Sequence, residues 1–117
     1  MTTYTKNLLS GSVNGKAILV SGSASGGGVT VHTAASGSAV LDEIWLWAVN
    51  SSTSGVKLTM EWGETTAPNG NIESVIPGES GLYTVVPGLL LQNGLAVTAF
   101  SSTSNVINIH GFVNRIT

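Results

Sequence analysis

The chain reads as all-β: an antiparallel β-sandwich of about eight strands, with a jelly roll as one way of connecting them. Three observations point there. Short apolar, β-branched runs recur at regular spacing along the 117 residues. Gly, Pro, Asn, Ser and Thr fill the gaps between them. No apolar periodicity of the helical kind lasts longer than a turn.

Residues 1–15 are polar, with Tyr4, Leu8 and Leu9 as apolar anchors and a turn at Gly11, Asn14 and Gly15. They read as an N-terminal arm, either frayed or laid along a neighbour. Residues 16–117 read as one β-sandwich domain. KAILVSG (16–22) is a β-branched run, and SASGGG (23–28) a flexible turn. In VTVHTAA (29–35), simple alternation places Val29, Val31 and Thr33 on one side and Thr30 and His32 on the other.

The stretch from Leu41 to Gly63 is the centre of the reading. LDEIWLWAVN and VKLTMEWG flank SSTSG and read as a hairpin. The first strand puts Ile44, Leu46 and Ala48 on one face and Trp45, Trp47 and Val49 on the other, so both faces are apolar. The second alternates Val56, Leu58, Met60 and Trp62 with Lys57, Thr59 and Glu61. A strand in a solvated two-layer protein normally shows water a polar face. The Trp45, Trp47, Val49 face therefore needs a cover, and a subunit contact is the expected one. Core packing and sugar stacking are the alternatives for these rings.

ETTAPNGN (64–71) is a loop. IESVIP (72–77) and LYTVVP (82–87) read as strands stopped by proline, with all three prolines in turns. Leu89 to Leu91 then caps the core before Gln92-Asn93-Gly94. LAVTAF (95–100) and NVINIHGFVNRI (105–116) complete the set. AVNSSTSGV (48–56) and AFSSTSNV (99–106) echo each other, each placing SSTS between an outgoing and a returning strand; chance in a Ser/Thr-rich chain is the simpler reading, and matching places in the sandwich the alternative.

Composition narrows the function classes. Four basic and six acidic side chains make up 9% of the chain, against roughly 25% in ordinary soluble domains. A weakly charged surface repels copies of itself weakly, which suits assembly. Lys6, Lys16, Lys57 and Arg115 are too few and scattered to displace counterions from nucleic acid. With no cysteine, disulfides and thiolate metal sites are excluded. MTTYTKNLLSG lacks the basic and apolar regions of a secretory signal, and no apolar run approaches a membrane span. The expectation is a protein made in the cytoplasm, with no membrane partner.

No reaction is written in the residues. Glu61 and Glu73 flank a hairpin and a loop and are the one conceivable carboxylate pair of glycosidase type. His32 and His110 stand alone, without the spacing of a metal site, and read as surface or interface side chains. No G-x-S-x-G elbow exists, and the glycines at 26–28 are followed by no helix that would bind phosphate. Catalytic, cofactor and metal residues are expected to be none.

The run D-E-I-W-L-W-A-V-N (42–50), V-K-L-T-M-E-W-G (56–63), I-P-G-E-S-G-L-Y (76–83), V-P-G-L-L-L-Q-N-G (86–94) and N-V-I-N-I-H-G-F-V (105–113) resembles small virion structural proteins of tailed bacteriophages. The likeness spans residues 40–116. It implies a compact β-sandwich, commonly a homotrimer, with no enzyme activity and no cofactor. It also implies a place on the virion as capsid decoration or cement against the major capsid protein, or in a tail or fibre. On that expectation Tyr4, Leu8 and Leu9 are the capsid-contacting residues of the arm. The alternative is a glycan- or receptor-binding module of a tail or head fibre.

Overall fold

A computed structural model describes residues 1–117. Nine strands form two antiparallel sheets: β1 (Tyr4–Leu8), β2 (Ile18–Val20), β3 (Val29–Thr33), β4 (Leu41–Asn50), β5 (Val56–Trp62), β6 (Asn71–Ile76), β7 (Tyr83–Leu91), β8 (Ala96–Ser101) and β9 (Ile107–Ile116). The first sheet runs β1-β9-β4-β7, with β2 beside β1 on the same edge of β9; the second runs β3-β8-β5-β6. With β1 and β2 counted as one interrupted strand, this is a jelly roll, two four-stranded sheets joined by crossing connections. Only β5 and β6 are paired sequence neighbours.

The β4 alternation is as read. Asp42, Ile44, Leu46, Ala48 and Asn50 point inward and are buried, while Glu43, Trp45, Trp47 and Val49 point outward. Ile44 and Leu46 meet a core that includes Leu58, Met60, Val97, Ile107, Ile109 and Val113. Each such side chain, wholly withdrawn from water, contributes about 1.5–3 kcal/mol.

Four expectations need correction. First, β4 and β5 are not a hairpin. They lie in opposite sheets, and SSTSG arches across the core. The second SSTS does the same between β8 and β9. The two arches clasp each other: Ser51 N–H donates to the Val106 carbonyl, and Ser102 N–H to that of Lys57, both at 2.9 Å. The echo thus marks matching places in the sandwich.

Second, residues 1–15 are no free arm. β1 pairs with β9 from Tyr4↔Ile116 to Leu8↔Phe112. Leu9 is 1% exposed and belongs to the core, so it is closed to a capsid partner. Third, β7 runs through Pro87 to Leu91, with register shifts on either side of the Pro87↔Trp45 pair. Proline is tolerated because β7 is an edge strand with a free side. Fourth, a bulge between Thr30 and His32 breaks the alternation of β3. Val31 and His32 both turn inward, so His32 is buried at 1% exposure.

Gly111 permits a close approach of β9 to β4. A Cβ there would lie 2.1 Å from the Trp45 carbonyl oxygen, a backbone atom that cannot swing aside. Gly111→Ala is expected to destabilise the fold by at least about 2 kcal/mol in chemical unfolding. Unchanged stability would mean that β4 and β9 can separate freely.

Candidate interaction face

The outer face of the first sheet is built row by row from strand register. Leu8, Phe112, Trp45 and Pro87 are cross-strand partners in one row. The next row on one side holds Lys6, Asn114 and Glu43; on the other, His110 lies beside Trp47. Further out lie Tyr4, Ile116 and Leu41 at one end, and Leu19, Asn108 and Val49 at the other. The expected contact residues Trp45, Trp47 and Val49 therefore share one face with Tyr4 and Leu8.

The rings interlock. Phe112 lies 6.1 Å from Trp45, with planes 9° apart, and 6.0 Å from Trp47. Lys6 Nζ sits 4.9 Å over the Phe112 ring, a cation–π contact. Trp45 Nε1 donates to Glu43 Oε1 at 2.9 Å, which fixes the indole. The same indole covers Gly88, where a Cβ would come within 2.9 Å of the ring. The three aromatic rings remain partly open to water, and Tyr4 and Leu8 are 65% and 55% exposed. A continuous aromatic and aliphatic patch with few charges is the composition of an interface core.

Two polar clusters lie away from this face. In the first, Arg115 grips Asp42: Nε donates to Oδ1 at 2.8 Å and Nη2 to Oδ2 at 3.0 Å. His32 Nε2 lies 2.8 Å from Asp42 Oδ2, and the Ala35 amide donates to the same oxygen at 3.2 Å. The His32 Nδ1 accepts the Ser10 amide at 3.0 Å. Both ring nitrogens are thus engaged, and neither touches a hydroxyl that it could activate.

Burial pushes the Asp42 carboxyl up, but the hydrogen bonds from Arg115 and His32 and the Arg115 charge outweigh it and hold it at about 2. Asp42 in turn raises Arg115. A carboxyl held low stabilises the fold above its ordinary value of 3.8, and that stabilisation is lost as pH falls toward about 2. The gap corresponds to about 2 kcal/mol. Unfolding free energy is expected to drop by about that amount more in wild type than in Asp42→Asn between about pH 5 and pH 2. Parallel pH curves for the two would contradict the assignment.

The second cluster lies on the outer face of the other sheet. Glu61, 2% exposed, accepts Ser25 Oγ at 2.6 Å and Thr98 Oγ1 at 2.9 Å. Glu73 is instead paired with Lys57 Nζ at 3.2 Å. The two acids share a face but each is engaged by its own partners. A cavity of about 150 Å³ beside Glu61 is lined by Gly63, Glu64, Thr65, Ala96 and Thr98, without Glu73. No group of three or more His, Asp or Glu side chains is gathered where a metal ion could be held. No helix is long and apolar enough to cross a membrane.

Comparison with protein-family models, curated proteins and solved structures finds no match to this chain.

Proposed function

We propose that the chain is a non-enzymatic virion structural protein. It associates with copies of itself, as a homotrimer, through the outer face of the first sheet, and decorates the outer shell of a phage capsid against the major capsid protein. The observation that carries the reading is the outward, partly open pair Trp45 and Trp47, joined to Phe112 and Leu8. A second copy suits this face because the face carries both signs of charge. Lys6 and Glu43 flank Asn114 in one row, so copies related by symmetry can set one against the other. The net charge of −2 adds little repulsion. A protein that binds only the assembled shell stabilises that shell by mass action.

Electron cryo-microscopy of particles assembled with and without the chain tests this. Oligomeric knobs on the outer shell, and earlier rupture on heating when they are missing, are expected. Identical particles would overturn the reading. One observation favours a glycan-binding module instead: the rings are bordered by Asn108, Asn114 and His110, amide and imidazole groups suited to sugar hydroxyls. Specific signal on a glycan array, lost in Trp47→Ala, would favour that reading over the first.

A further inference from the structure

The first eight residues bury little side-chain surface. Tyr4, Thr5, Lys6 and Leu8 are exposed, and Leu9 is their one buried anchor. Beyond the β9 ladder and the reciprocal Thr3–Thr117 backbone bonds, the segment is tied to β3 by a small clasp. The Ser10 amide donates to His32 Nδ1 at 3.0 Å, the Thr33 amide to Ser10 Oγ at 2.7 Å, and the Gly11 amide to the Val31 carbonyl at 3.0 Å. The bulge that turns His32 inward places its ring in the clasp.

An amide pointed at Nδ1 needs the lone pair there. The ring is therefore neutral, with its proton on Nε2, where it donates to Asp42. A proton added at Nδ1 removes the lone pair and sets two donors face to face. The ring has no room to turn: it is 1% exposed and held by Asp42. The charged groups around it favour its staying. Asp42 of β4 faces Nε2 directly, with Arg115 of β9 behind that carboxylate. β8 faces it with Val97, and the N-terminal segment offers only the Ser10 amide. Ser10 is exposed, so its N–H finds water once displaced.

We infer that His32 is a proton-operated latch: protonation at Nδ1 expels the Ser10 amide and frees the N-terminal strand from β9. Release would bare the β9 edge from Phe112 to Ile116 and withdraw Tyr4, Lys6 and Leu8 from the aromatic face. The latch stands on its own geometry. Only its effect on association rests on the proposed function.

The test follows amide exchange, corrected for intrinsic rates, at about pH 8 and about pH 5. Protection of Ser10 and the β1 amides is expected to fall about tenfold or more in acid, while β4 and β5 hold. His32→Gln is expected to abolish the pH dependence. Unchanged Ser10 protection, loosening of all strands together, or a pH dependence that survives in His32→Gln would overturn the latch. Should the variant fail to fold, the wild-type exchange pattern decides alone. Sedimentation at both pH values separates the two readings: a freed β1 with an unaltered oligomer upholds the latch and removes its link to association.

Discussion

Asp42→Ala is expected to cost the fold roughly 3–5 kcal/mol, the usual result of removing one partner from a buried ion pair. The carboxylate is wholly buried and accepts from Arg115, His32 and the Ala35 amide. Alanine strands all three donors. The guanidinium is then left partly buried without a counter-charge, and the imidazole N–H faces an empty site. A domain of this size has on the order of 5–15 kcal/mol in total, so the loss takes a large share. Asp42→Asn keeps the shape and one acceptor oxygen and is expected to lose less. Urea unfolding monitored by tryptophan fluorescence measures both. Glu43→Ala, one residue along and facing outward, serves as control and is expected to cost about 1 kcal/mol or less. Equal losses at 42 and 43 would show that the inward network adds nothing.

Trp47→Ala carries the second large expected effect. If a copy of the chain covers this face, truncating an anchor at its centre weakens the oligomer by about 2–4 kcal/mol, roughly 30- to 1,000-fold in dissociation constant. The monomer fold should survive, because Trp47 points away from the core beside His110 and Phe112. Trp45→Ala is a less clean probe. Its indole also covers Gly88 and bonds Glu43, so its removal disturbs the monomer as well. Circular dichroism separates lost folding from lost association. A Trp47→Ala protein that sediments like wild type removes the residue from the contact.

What the sequence disclosed depended on the kind of signal each element carries. The two faces of β4 were legible because ten residues alternate without a break. The pairing of β4 was not. A hairpin and an arch between sheets share the same local pattern, and only the missing two-residue Asn-Gly or Gly-x turn hinted at the arch. β1 was silent because it buries almost nothing, so its hydropathy resembles that of a loop. β7 passed through Pro87 because an edge strand can spare one amide. The buried network was partly visible. Asp42 shares the inward phase of Ile44 and Leu46, and Arg115 that of Ile109 and Val113. An acid and a base both in phase with a core call for one another. His32 was hidden, since the bulge at Val31 shifts it onto the inner face and no spacing reports a bulge. Phe112 joined the aromatic face only through register, which no single strand reveals.

The proposed trimer follows from the apolar outer face of the first sheet, where Trp45, Trp47 and Phe112 are partly open to water and Tyr4 and Leu8 are exposed. Sedimentation equilibrium of the wild-type protein at micromolar concentration and neutral pH tests that most directly. The predicted result is one species of three times the 11.9 kDa chain mass. A stable monomer of 11.9 kDa under the same conditions would contradict it.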